Sequence, residues 1–321
     1  MTMTTAAPSV TSELIEAAAA AIEPFIRRTP ILEVPGSEIG VDATLVLKLE
    51  YLQHSGSFKA RGATNFMTTQ PISKSGVVAA SGGNHGAAVA WAAQRFGHAA
   101  HIFVPTTANP AKLARLLDYG ADVRQLGEVY GEALAAAQEF LADRHATSIH
   151  AYDDPIVMAG AGTCARELDL DAPDLDAVLL ACGGGGLSGS TAAWYGDRTA
   201  IVVVETTDTA TYAAAVEHGE PVDIAVSGIA ADALGATRLG AHPWTALQAV
   251  AATSVLVSDD AVSTARERLW KWLRIVVEPA AAAPIAAMMT GAWRPQAADD
   301  RVGVVICGAN TNVDLAIAAA G

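Results

Sequence analysis

The sequence predicts an α/β protein built on open, twisted, mainly parallel sheets flanked by helices. Two observations carry that reading. Short β-branched runs alternate with alanine-rich helical stretches along the chain, the pattern of strand–helix–strand units. Three of the strand runs also end in loops of small residues: "VVAA" in "SGGNHG", "VLLAC" in "GGGGLSGS" and "VVI" in "CGANTN". Ligands of open α/β sheets bind at the carboxyl ends of strands, so three such loops imply one shared crevice.

The elements follow in order. Residues 13–23 are alanine-rich and predicted helical, and the apolar run at 77–80 is a strand feeding a helix over 85–96. A strand at 101–104 comes next. The helix over 132–145, "EALAAAQEFLADRH", has good helix formers throughout and no breaker. Strands at 178–181 and 201–204, a helix over 261–273 and a strand at 302–306 complete the set. The chain shows no fixed-period repeat and no low-complexity linker.

At 321 residues the chain exceeds the usual single core, so one large domain or two coupled ones are expected. Its formal net charge of −14, with no cluster of Lys and Arg, lacks the basic footprint of a nucleic-acid binder. The same balance argues against an anionic membrane surface. Cys164, Cys182 and Cys307 are widely spaced and never form a CxxC pair, which excludes a disulfide framework and a zinc cluster and suits a reducing compartment. The first residues lack a basic region and carry Glu13 and Glu16, unlike a secretory signal. The apolar window from Ile275 is broken by Glu278, Pro279 and Pro284, whereas a membrane span needs roughly 20 uninterrupted apolar residues. A soluble, cytoplasmic protein is expected.

Three motifs carry chemistry. Four consecutive glycines, Gly183 to Gly186, cost much backbone entropy unless the chain must approach something closely. A helix starting there presents bare N–H groups to an anion, so a phosphate cradle competes with a plain tight turn. The run is neither GxGxxG nor GxxxxGK[ST], which argues against a dinucleotide or a P-loop nucleotide. In "SGGNHG", Ser81 and Asn84 either cap the following helix or bind a carboxylate or phenolic oxygen. Lys59, flanked by Phe58 and small residues, either snorkels from a helix start or sits in a partly dry site as a nucleophilic amine. A reactive lysine together with a phosphate cradle is what pyridoxal phosphate requires.

"KLEYLQHSGSFKARGA", "SGGNHG", "YDDPIVMAGAGT", "GGGGLSG", "VEPAAA" and "CGAN" occur in an order that resembles the serine/threonine dehydratase family of pyridoxal-phosphate enzymes. The likeness runs from about Thr29 onward. It implies the tryptophan-synthase-β-like fold, fold type II, with two sheets and the cofactor in the interdomain cleft. Residues 1–75 and 152–321 would form the large cofactor-binding domain, and residues 76–151 a small mobile domain that closes over substrate.

By the same resemblance Lys59 is the Schiff-base lysine and the base at the substrate's α-carbon, with the Phe58 ring packed beside the cofactor. Asn84 would bond the cofactor's phenolic oxygen. Gly183, Gly184, Gly185 and Gly186, with the Leu187 N–H, would hold the phosphate. Ser81, Asn84 and His85 would bind the substrate carboxylate. Cys307 would face the pyridine nitrogen as a weak neutral partner.

The implied reaction is deamination of L-threonine, L-serine or both to a 2-oxo acid and ammonia by a homodimer. Bulkier 3-hydroxy amino acids (hydroxyaspartate, phenylserine) are alternatives, as is a degenerate ligand-binding protein. Serine racemases resemble the chain almost as closely, but they place a serine, their second acid/base, where this chain has Gly82. Some relatives hold a divalent cation with a Glu and an Asp six residues on. Here Glu205 is followed by Thr211, with Asp208 as the only nearby substitute, so no metal is expected.

Overall fold

The computed structural model describes residues 10–312. The chain opens with α1 (Ser12–Ile22), the strands β1 (Ile31–Pro35) and β2 (Thr44–Lys48), and α2 (Lys59–Thr69). It then builds a second sheet through β3 (Val77–Ala80), α3 (Asn84–Phe96), β4 (Ala100–Val104), α4 (Pro110–Asp118), β5 (Asp122–Gln125), α5 (Tyr130–Arg144) and β6 (Thr147–Ser148). Helix α6 (Pro155–Asp171) leads back to β7 (Ala177–Ala181), α7 (Gly186–Tyr195), β8 (Ala200–Thr206), α8 (Thr211–His218) and α9 (Ala241–Ala249). The described part closes with β9 (Thr253–Val257), α10 (Asp259–Leu273), α11 (Pro279–Thr290) and β10 (Arg301–Val305).

The larger sheet has the order β1-β2-β10-β7-β8-β9 and the smaller β5-β4-β3-β6. Among the described strands β1 alone runs antiparallel, against β2; every other pair is parallel. Strands covered on both faces read as continuous apolar runs rather than alternating ones. Leu45 to Leu47, Val178 to Leu180 and Ile201 to Val204 are all buried accordingly. Helix α11 is buried against this sheet, and its alanines (Ala280 to Ala283, Ala286, Ala287) let it lie close. Among the described residues no helix is long and apolar enough to cross a membrane.

The predicted strands and helices are all present, with ends displaced by at most two residues. The sequence reading predicts neither the β1–β2 pair nor α11. Two prolines and Glu278 disguise α11 as a broken apolar run, yet Pro279 occupies its first turn, where the missing N–H costs nothing.

Candidate active site

Lys59 is the first residue of α2. The preceding Phe58 N–H donates to the Cys307 carbonyl at 3.1 Å, which tethers the helix start to the end of β10. Lys59 Nζ donates to the Ala151 carbonyl at 2.6 Å and lies 5.0 Å from the centre of the Phe58 ring. Burial lowers its pKa from the ordinary lysine value to about 8, against the opposing influence of Cys307 and Glu278. The amine borders a small cavity of about 10 Å³ with Phe58, His85, Tyr152 and Gly186. Residues from both sheets' loops therefore meet at Lys59.

The glycine loop follows β7 and opens α7. Its N-cap, Gly185, has φ +89° and offers no side-chain bond to the helix. The N–H groups of Gly185 to Ser188 have no intrahelical acceptor by position, and all four residues are buried. An uncapped helix start in a buried place is a ready anion site. Only glycine fits here: a Cβ on Gly184 would meet the Tyr152 ring at 2.4 Å, and one on Gly186 would meet Tyr152 Cβ at 2.9 Å. Bare N–H groups, small residues and a neighbouring amine suit the phosphate and aldehyde of pyridoxal phosphate.

A second helix start faces the same region. Helix α3 has Gly83 as its N-cap, again without a side-chain bond. Ser81 Oγ instead accepts from the Gly83 N–H at 3.3 Å, so neither Ser81 nor Asn84 serves as the cap. His85 Nε2 lies 2.9 Å from the Ile149 carbonyl. A carbonyl only accepts, so Nε2 carries the proton and Nδ1 is the free acceptor. Burial pushes His85 down to about 3, which keeps the ring neutral.

Asn84 donates to both carboxylate oxygens of Glu278, at 2.8 and 3.0 Å, and accepts from Asn310 Nδ2 at 2.6 Å. Burial pushes Glu278 up to about 7. Gly82, Gly83, Asn84, Ala233, Glu278 and Asn310 border a larger cavity of about 600 Å³. Cys307 is buried, and burial raises its thiol well above the usual range, so it stays neutral. Leu187 is buried in the first turn of α7.

Glu205 is turned to a different use. Its carboxylate accepts from the Thr211 hydroxyl at 3.0 Å and from the Tyr212 and Ala213 N–H groups at 2.9 Å, capping α8. Among the described residues no three His, Cys, Asp or Glu side chains gather as a metal site.

Sequence reasoning missed Tyr152, Glu278 and Asn310. Each lies within or beside a motif that resembles the family, "YDDPIVMAGAGT", "VEPAAA" and "CGAN", but only the fold shows what each touches.

Residues 22–308 match the family model described as "Pyridoxal-phosphate dependent enzyme". L-threonine ammonia-lyase of Geobacter sulfurreducens is 33% identical over 282 residues, spanning 86% of this chain and 70% of that protein. The solved threonine deaminase of T.th. superposes with a TM-score of 0.86 at 31% identity, covering 94% of this chain and 99% of that one. Maize serine racemase superposes with a TM-score of 0.88 at 27% identity, covering 95% of each chain.

Proposed function

The chain belongs to the family of pyridoxal-phosphate dependent enzymes, and from that premise we propose that it is an ammonia-lyase acting on L-threonine or L-serine. Threonine yields 2-oxobutanoate and ammonia, and serine yields pyruvate and ammonia. The observation that carries this is the pairing of a low-pKa amine, Lys59, with a buried, uncapped glycine helix start. The threonine-specific names of the Geobacter and T.th. proteins support the substrate class.

Pyridoxal phosphate, when bound, supplies the electron sink for bond breaking at the α-carbon. The protein's own residues do the rest. The N–H groups from Gly183 to Leu187 would hold the phosphate, and Lys59 would anchor the cofactor. Phe58 would pack beside it, Asn84 would turn its amide from Glu278 toward the cofactor's phenolic oxygen, and Cys307 would stand as a neutral partner for its ring nitrogen. The Lys59 amine, free in its uncharged form, would take the proton from the substrate's α-carbon, for which a pKa of about 8 is well suited. Ser81, Asn84 and neutral His85 orient the substrate carboxylate at the start of α3.

Residues 76–151 act as a small mobile domain whose closure excludes water. The protein works as a cytoplasmic homodimer. Its three cysteines are free and buried, consistent with a reducing compartment, and sedimentation tests the dimer.

Racemization is the second reading, favoured by the maize serine racemase superposition. It needs an acid on the opposite face, and Gly82 has no side chain to provide one. The test is 2-oxo acid release from L- and D-serine, L-threonine, 3-hydroxyaspartate and phenylserine, with D-serine measured in parallel. Release from L-threonine or L-serine, lost in Lys59→Ala, supports the lyase. Inversion of serine without 2-oxo acid release overturns it.

A further inference from the structure

Helix α2 begins at Lys59 with no side-chain cap of its own, yet a reactive amine must be held to a fraction of an ångström. Two residues on, Arg61 is fully buried with all five N–H donors engaged. Nε reaches Glu50 at 2.5 Å, and Nη2 reaches Glu50 at 2.9 Å and Glu167 at 2.8 Å. Nη1 reaches Glu167 at 2.8 Å and the Thr163 hydroxyl at 3.0 Å. Lys48 Nζ adds bonds to Glu167 at 2.7 Å and to the Thr29 carbonyl at 2.6 Å. The Thr29 hydroxyl donates to Glu50 at 2.6 Å. Two cations thus face Glu50 and Glu167, with the part-exposed Asp171 4.0 Å from Lys48, and none of the first four side chains is more than 9% exposed.

Removing four charges from water is costly, and apolar residues of similar volume often hold a fold as well or better. What apolar packing lacks is direction. A guanidinium fork engages its carboxylates in one plane and at fixed angles. This fork joins the segment before β1, the end of β2, the first turn of α2 and the middle of α6. The loop entering α6 carries Ala151, whose carbonyl receives the Lys59 amine, and Tyr152, which lies on the glycine loop. Helices α2 and α6 touch through glycines: a Cβ on Gly160 would lie 2.6 Å from the Arg61 carbonyl, and one on Gly62 would lie 2.8 Å from Val157. Close approach sets their separation, and the ionic network sets their register.

We propose that Arg61, clamped by Glu50 and Glu167, is a positioning residue that fixes Lys59 relative to Ala151 and the glycine loop. This rests on the reading of Lys59 as the cofactor-bearing lysine. Arg61 itself touches neither substrate nor cofactor.

The test compares Arg61→Lys, Thr163→Val and Thr163→Ser with the unaltered protein and with Lys59→Ala. Three quantities are read: affinity for pyridoxal phosphate by absorbance, the circular dichroism of the bound cofactor, and the pH dependence of cofactor uptake. Arg61→Lys and Thr163→Val should bind roughly tenfold or more weakly, as small misplacements of a reacting group allow. The uptake midpoint should rise from about 8, because a loosened helix start admits water to the amine. Thr163→Ser should restore both. Should Arg61→Lys not fold, Thr163→Val and its serine rescue decide alone. Thr163→Val with unchanged affinity and midpoint, at a lower melting temperature, would reduce the network to a fold stabiliser. If the unaltered protein takes up no cofactor, or Lys59→Ala takes it up equally well, the reading of Lys59 fails instead.

Discussion

Asn84 and Glu278, 194 residues apart in sequence, share a two-pronged contact in which one amide donates to both oxygens of a buried carboxylate, at 2.8 and 3.0 Å. The contact joins the first turn of α3, on the smaller sheet, to the start of α11, on the larger. It bonds the two halves of the site directly, and one partner titrates near neutrality.

Glu278 therefore gives the ligand-free protein a pH signature. Its pKa rises from the ordinary 4.5 in the unfolded chain to about 7 in the fold, with burial as the main cause. Between those values the folded protein holds a proton that the unfolded chain has lost, so stability present at low pH is lost as pH rises toward 7 and above. The melting temperature should fall from pH 5 to pH 8. Glu278→Gln should flatten that fall by on the order of 2–3 kcal/mol. Glu205, also raised to about 7 by burial, adds to the fall, and His85, lowered to about 3, opposes it below about pH 6.5, so the difference between the two proteins is what reports Glu278. Identical slopes with and without Glu278 would contradict the assignment.

Lys59 should set the acidic limb of the pH–rate profile. Activity should rise with pH through about 8 as the amine loses its proton, and Lys59→Ala should lose roughly a thousandfold or more. His85, held near 3, should add no inflection between pH 5 and 9. A pH–rate profile that loses a step near pH 6.5 in His85→Asn would show that the ring titrates after all.

Gly184→Ala places a methyl group into the Tyr152 ring. Overpacking of this kind costs about 1–3 kcal/mol, and here the cost should appear as weaker cofactor binding. Adding Tyr152→Ala should recover part of the loss, because residues in contact couple. Simple additivity of the two substitutions in a binding titration would argue that the ring does not shape the loop.

Gly82→Ser tests which face of the substrate can be protonated. A Cβ there would sit 3.2 Å from Val104 Cγ1, a contact that asks only a small adjustment of that side chain. The variant should begin to convert L-serine to D-serine while 2-oxo acid release falls less than about tenfold. Chiral chromatography that finds no D-serine would mean that the missing hydroxyl is not what suppresses racemization.

Much of the site was legible because its parts are contiguous in sequence. Lys59 with Phe58, the glycine run and "SGGNHG" each announce themselves within a few residues, since each is a local backbone device: a helix start, a bare loop, a turn. The partners of those devices were not legible. Nothing local ties Asn84 to Glu278, or Arg61 to Glu50 and Glu167 across a helix, because those choices are made by packing. Glu205 shows the same limit from the other side. In sequence it resembles half of a cation site, whereas in the fold its carboxylate caps α8. The β1–β2 pair escaped notice because β1 carries Glu33 and Pro35 and is only partly buried, which blurs its pattern.

The position of β10 between β2 and β7 governs when the protein can be finished during synthesis. The smaller sheet's strands all lie within residues 77–148, and its core draws in addition only on nearby residues such as Ala63 and Met67 of α2 and Val157 of α6. The larger sheet stays split into two unjoined pieces until residue 305 has left the ribosome, so its long-range pairings come late. Cys307, whose carbonyl anchors the turn before Lys59, emerges later still. A nascent chain arrested near residue 160 should already protect the smaller sheet from protease, whereas one arrested near residue 290 should not take up pyridoxal phosphate. Until residue 307 emerges, the nascent chain would be unable to hold its own cofactor, an interval in which a reactive aldehyde has no formed pocket to enter.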